Sequence, residues 1–205
     1  MKIHFEVPFV TVRSPTAAML SAIVTGSVVK AALPISVEQY HQLGEAGIIA
    51  ESTELLRGVI VEKTVKSPRH TWLVQFLTDW LKDALPQGIH VRSEQPLTLA
   101  ESEPEPDIAA VQGTRDDYRH THPSTAELVI EIATSREELD RQKAAIYAAA
   151  SVREYWIIVN SECAVEVYRD PTPTGYQLLS RATCSDILRA EAIEGATLDL
   201  ADLFN

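Results

Sequence analysis

Two runs decide how this chain folds: Glu105-Pro106-Asp107-Ile108-Ala109-Ala110-Val111 and Leu128-Val129-Ile130-Glu131-Ile132-Ala133. Both read as strands. The first begins beside a proline, which favours extended backbone, and the second is a β-branched apolar run of the kind covered on both faces. Side chains alternate across a strand, so Asp107, Ala109 and Val111 share one face, and Glu127, Val129, Glu131 and Ala133 share one face of the other. If the two strands are neighbours, Asp107 and Glu131 converge. Carboxylates held that close repel and raise each other's pKa unless a hard cation such as magnesium or manganese, which takes oxygen ligands, lies between them. Asp107 and Glu131 are therefore the expected metal ligands.

Upstream, Ser36 to Leu43 reads as a short helix capped by Ser36, and Glu54 to Thr64 as a hairpin turning at Arg57-Gly58. Ser67-Pro68 opens a long helix whose apolar stripe is Leu73, Leu77, Trp80, Leu81 and Ala84, and Pro86 and Gly88 stop it. Ile89 to Leu99, Asp107 to Val111 and Glu127 to Ala133 read as three strands. Ser135 to Ala150 reads as a second helix capped by Ser135, Tyr155 to Val159 as a strand, and Val165 to Arg169 as another. A β-rich tail from Tyr176 and a short helix near Leu200 to Phe204 complete the chain. The expected fold class is α/β: a mixed sheet with helices on its faces and core order helix, three strands, helix, strand.

Lys143 sits at helical spacing with Leu139, Ile146 and Ala150, an apolar face from which an ammonium either snorkels to solvent or points into a site. Near a phosphate it could offset charge in a transition state. His70 falls in line with Leu73, Val74 and Leu77 and could reach the same cavity. Glu62 and Glu94 are further carboxylates at strand edges, where most glutamates are simply solvated. Tyr147, Tyr155 and Trp156 lie in apolar stretches and read as core.

The chain has 205 residues with 45% hydrophobic content, enough for one domain with a substantial core, here assigned to residues 34–205 behind an N-terminal extension, residues 1–33. Lys plus Arg total 18 against 29 Asp plus Glu, a formal net charge of -11, which argues against coating nucleic acid by bulk electrostatics. Any DNA contact would be local, and Arg57, Lys63, Lys66, Arg69, Lys82 and Arg92 cluster around the first long helix. Cys163 and Cys184 form neither a disulfide framework nor a zinc motif, and a reducing cytoplasm is the expected location. The apolar stretch Thr16 to Val29 is too short and too polar to span a membrane, so no membrane partner is expected.

These residues carry a resemblance. The Pro106-Asp107 strand followed by the Glu131 strand resembles the PD-(D/E)xK nuclease superfamily, and the wider pattern is similar to its Uma-two family of endonucleases, once filed as a domain of unknown function. The matching pieces are Glu54-Leu55-Leu56-Arg57-Gly58-Val59-Ile60-Val61-Glu62, Ser67-Pro68-Arg69-His70, Pro106-Asp107-Ile108, Leu128 to Ser135, Asp140-Arg141-Gln142-Lys143 with Tyr147, and Glu154-Tyr155-Trp156-Ile157. The resemblance covers residues from Pro34 to the C-terminus. It implies a restriction-endonuclease-like fold, Asp107 and Glu131 as metal ligands, and magnesium- or manganese-assisted hydrolysis of DNA phosphodiester bonds. It also implies a catalytic set of Asp107, Glu131, Lys143 and His70. The superfamily's lysine usually stands two residues after the acidic one, where this chain has Ala133, so the lysine role passes to Lys143 on the following helix. His70 is open as ligand or phosphate contact. Two other functions stay open: a silent binding or assembly module of the same fold, which could form a homodimer, and a metal hydrolase acting on small phosphoesters.

Overall fold

The structure is a computed structural model, and it describes residues 33–63, 65–133 and 137–205. The expected extension and the stretch Thr16 to Val29 thus fall outside the described residues, apart from Leu33. The first helix, α1 (Val37–Glu45), is capped as expected: the Ser36 hydroxyl accepts from Gln39 N–H, and the Gln39 side chain accepts from Ser36 N–H. A hairpin follows, β1 (Thr53–Leu56) and β2 (Val59–Glu62), turning through Arg57 at φ 50 and Gly58 at φ 76. Two consecutive left-handed residues are what a tight hairpin of this hand requires, and the glycine supplies the second without strain.

Helix α2 (Pro68–Ala84) starts where Ser67 accepts from His70 N–H and Pro68 occupies the first turn. Strands β3 (Ile89–Ser93), β4 (Ile108–Gln112) and β5 (Leu128–Ala133) follow, then α3 (Glu137–Ala149), β6 (Glu154–Val159), β7 (Ala164–Thr172) and β8 (Gly175–Thr183). These form one six-stranded sheet in the order β3-β4-β5-β6-β7-β8, in which β5 and β6 are parallel and every other pair antiparallel. The parallel pair arises because α3 carries the chain back across the sheet. The chain ends in a two-stranded β9 (Ile187–Arg189) and β10 (Thr197–Asp199) ribbon and α4 (Leu200–Phe204).

The helix, three-strand, helix, strand order is the one expected. Two details differ. The apolar run from Ile89 to Leu99 is not one strand: β3 stops at Ser93 because Glu94 takes φ 54, and Leu97 and Leu99 instead bond back to Pro104 O and Ser102 O. That fold-back buries Leu97 and Leu99 in a loop, which is why they mimic strand periodicity. The hairpin β7-β8 also continues the main sheet rather than starting a separate tail. The expected Ser135 cap lies outside the described residues.

Each face of the sheet has its own core. Leu73, Leu77 and Leu81 of α2 pack on Ile108, Ala110, Leu128, Ile130 and Trp156, joined by Leu188, Leu198 and Leu203 from the C-terminal elements. Ala144, Ile146 and Tyr147 of α3 pack on Ala109, Val129, Ala133, Tyr155 and Ile157. Leu73 and Leu77 are fully buried, so truncating either to alanine would cost about 2–5 kcal/mol. The strand alternation that sorts these residues onto two faces also sends Glu131 toward α3.

Candidate functional site

Register brings the two key carboxylates together. Ile108 pairs with Ile130 and Ala109 with Val129, so one further step sets Asp107 opposite Glu131. The Asp107 N–H donates to Glu131 Oε2 at 3.4 Å, and Ile132 N–H donates to Asp107 Oδ2 at 2.7 Å. Both residues line one cavity at this end of the sheet, together with His70, Lys143, Glu62 and Glu94.

His70 arrives from the N-terminus of α2, where the Ser67 cap fixes the first turn. Its Nε2 lies 3.0 Å from Asp107 Oδ1. The hydrogen bond to Asp107 raises the imidazole pKa above its ordinary value, against the opposing effect of burial. The ring's other nitrogen, Nδ1, is buried with no partner among the described residues. His70, Glu94 and Asp107 each offer a ligand atom within 4.8 Å of the others.

Lys143 does not snorkel. It is 5% exposed, and its Nζ lies 3.1 Å from Glu131 Oε1, 3.1 Å from Glu54 Oε1 and 3.9 Å from Asp140 Oδ1. Burial acts to lower the ammonium pKa, but Glu131, Glu54 and Asp140 outweigh it and hold it above the ordinary lysine range. Three carboxyl groups around one ammonium leave an excess of negative charge in a dry setting. Burial accordingly pushes the Glu131 carboxyl up to about 8, with Lys143 opposing and Asp107, Asp140 and Glu54 adding repulsion. Burial raises Asp140 as well, to about 6.

Sequence reasoning missed three members of this cluster. Glu54 comes from β1, 4% exposed beside Leu55 and Leu56, and its signal was a carboxylate continuing an otherwise buried strand. Asp140 precedes Lys143 by one helical turn on α3, a spacing that shares a face. Tyr147, expected to be core, is fully buried, yet its hydroxyl donates to Glu131 Oε1 at 2.8 Å. Burial and then the Glu131 carboxylate push that phenol well above its ordinary pKa, so it stays a donor. Arg141, on the same helix as Lys143, is engaged elsewhere, with Glu166. Tyr155 and Trp156 are core as expected: the Tyr155 hydroxyl donates to Asp140 O, and Trp156 Nε1 donates to Glu154.

Carboxylate oxygens with one imidazole nitrogen suit a hard or borderline divalent ion. Burial and the neighbouring acid groups that raise Glu131 are a charge imbalance that a divalent ion would relieve. Glu131 Oε1 is already occupied by Lys143 and Tyr147, whereas Asp107 stands between Glu131 on one side and His70 with Glu94 on the other.

Comparison with known proteins agrees with this architecture. The family model Uma2, described as "Putative restriction endonuclease", matches residues 37–201. A crystal structure titled as a putative nuclease belonging to DUF820 from Anabaena variabilis superposes with a TM-score of 0.70 at 18% identity, covering 83% of this chain and 98% of that one. At that identity the likeness establishes the fold. No curated protein matches. Among the described residues, no helix is long and apolar enough to cross a membrane.

Proposed function

Because the chain belongs to the Uma2 family of restriction-endonuclease-like proteins, we propose that it is a divalent-metal-dependent endonuclease hydrolysing DNA phosphodiester bonds. The observation that carries this reading is the meeting of Asp107 and Glu131 from paired strands, beneath a buried Lys143. Asp107 and Glu131 are the ligands proposed for magnesium or manganese, with His70 and Glu94 close enough to Asp107 to complete the set. Such an ion, when bound, supplies Lewis-acid stabilisation of the charge that develops on the phosphoryl oxygens.

The protein's own groups do the positioning. The Asp107 carboxylate is held by Ile132 N–H through one oxygen and by His70 through the other, which fixes its orientation in the cavity. Lys143 and Tyr147 both donate to Glu131 Oε1, leaving its Oε2 beside the Asp107 backbone. An ammonium fixed in low dielectric would also stabilise negative charge on a phosphodiester more strongly than one in water. Lys63 and Lys66 line the same cavity, each paired with a carboxylate of its lining, Glu105 and Glu94.

Nicking of supercoiled plasmid with magnesium or manganese tests the proposal, using Asp107→Asn and Glu131→Gln as the deciding variants. Cleavage should be lost in both and should need the ion. Cleavage that survives either substitution, or proceeds equally in chelator, would refute the assignment, and cleavage of RNA alone would refute the DNA part of it.

A further inference from the structure

The acidic cavity holds one side chain that can offer an ion something other than oxygen. Among the described residues that line it, the potential ligands are carboxylates and the single imidazole of His70, while the ammonium groups of Lys63, Lys66 and Lys143 are paired with Glu105, Glu94 and Glu131. His70 enters from the first turn of α2 and is 6% exposed. Its Nε2 lies 3.0 Å from Asp107 Oδ1, and its Nδ1 is buried with no partner among the described residues, so Nε2 is the nitrogen presented to the acidic groups. Asp107 turns its other oxygen, Oδ2, to Ile132 N–H, which leaves Oδ1 beside the imidazole.

Glu94 supplies the third donor. It follows β3 directly, and the left-handed turn at φ 54 that ends the strand brings its carboxylate within 4.8 Å of the His70 and Asp107 ligand atoms. The three donors thus come from α2, from the end of β3 and from the start of β4, and the hydrogen bond between His70 and Asp107 keeps two of them side by side. One nitrogen and two carboxylates fit a divalent ion, but they do not fit all such ions equally. Magnesium takes oxygen ligands and keeps much of its water. First-row transition ions bind imidazole readily, with affinity for a given nitrogen and oxygen site rising from manganese to cobalt. The carboxylates serve both classes, and the imidazole separates them.

We propose that His70 is a direct ligand through Nε2, beside Asp107 and Glu94, and that this nitrogen makes the site select a first-row transition ion, manganese or cobalt, over magnesium; the inference rests on the metal-dependent reading above and narrows the ion it names. His70 is then neither a phosphate contact nor only a brace for Asp107. Its place on the buried face of α2, next to Leu73 and Val74, holds the ring against the sheet, so the selectivity is built into how the helix packs.

The test reads the ion rather than cleavage. Pulsed electron paramagnetic resonance of the full, tag-free chain loaded with manganese detects nitrogen bound to the ion, and calorimetry gives the affinities for manganese, cobalt and magnesium. Wild type should show coupling to a histidine nitrogen and bind manganese and cobalt more tightly than magnesium. His70→Ala should abolish the coupling and weaken manganese and cobalt by roughly tenfold to a hundredfold, with a smaller loss for magnesium, so that the preference narrows. Bound manganese without nitrogen coupling in wild type would overturn the proposal, and it decides alone if His70→Ala fails to fold. Magnesium bound as tightly as manganese, or an equal loss for all three ions in the variant, would overturn the selectivity, the latter because a residue that merely orients Asp107 would weaken every ion alike. Nitrogen coupling in a protein that never nicks plasmid would leave the ligand assignment standing and reject the nuclease reading; nicking by a protein whose manganese shows no coupling would do the reverse.

Discussion

Replacing Lys143 by methionine removes one charge from the most densely charged buried point of the molecule. Methionine keeps the length and the apolar stem, so the change isolates the ammonium. In the folded protein that ammonium lies within 3.1 Å of both Glu54 and Glu131 and 3.9 Å from Asp140, with the lysine side chain 7% exposed. Removing one partner of a buried pair leaves uncompensated charge and costs about 3–5 kcal/mol. For a domain of this size each kcal/mol moves the midpoint by roughly 2–4 °C, so the expected fall is about 6–20 °C. Thermal and urea unfolding in chelator measure it. Adding Glu54→Gln to Lys143→Met should recover part of the loss, because one fewer carboxyl group then needs a partner. A cost under about 1 kcal/mol, the range of an exposed ion pair, would show that the ammonium does not compensate the cluster and would remove the electrostatic basis of the site.

Three further outcomes follow from the same structure. Arg141 holds the Glu166 carboxyl below its ordinary pKa of 4.5 through their hydrogen bond, against burial. A depressed folded pKa stabilises above the unfolded value and loses that contribution as pH falls through the folded one, so wild type and Glu166→Gln should differ at neutral pH and converge in acid; a gap independent of pH would contradict this. Gly58→Ala, at φ 76, should cost about 1 kcal/mol in urea unfolding, and no loss would mean that the hairpin does not need a left-handed residue there. His70→Ala should weaken manganese binding in calorimetry by roughly tenfold to a hundredfold, the usual effect of losing a group that orients or joins a metal's ligands. Unchanged affinity would leave Asp107 and Glu131 to hold the ion without it.

The fold was legible where periodicity and punctuation agreed. Ser67-Pro68 before a helical stripe, Arg57-Gly58 between two short apolar runs, and the β-branched Glu131 strand each mark an element by local chemistry. Strand alternation alone was enough to aim Asp107 and Glu131 at one another once β4 and β5 paired. What stayed hidden depends on contacts between distant segments. Glu54 is brought to Lys143 by the docking of the first hairpin, which the bridge between Leu55 and Glu103 anchors to the loop after β3. The Tyr147 hydroxyl was masked because an aromatic on an apolar helix face signals packing, and only the position of Glu131 across the interface turns it into a donor. Likewise the alternation of Leu97 and Leu99 reports burial, and only the left-handed Glu94 shows that the chain has already left the sheet.

The position of the lysine is the clearest case of packing overriding a linear motif. Two residues after Glu131, where the superfamily usually carries its lysine, this chain has Ala133, 1% exposed in the core beneath α3 with Val159 and Tyr147. That location is on the same face as Glu131, but it is filled by the helix that crosses the strand, and a long cation there would have to displace part of the core. The helix instead supplies the charge. Asp140, Lys143 and Tyr147 follow one another at spacings of three and four residues, so a single stripe of α3 presents a carboxyl, an ammonium and a phenol to Glu131. An ammonium delivered this way is braced by the helix and by the β1 carboxylate Glu54, and its place is set by how α3 and the hairpin dock. On the proposed reading, the absence of a lysine at position 133 does not leave the site without an ammonium, because the helix above the strand brings Lys143 to Glu131.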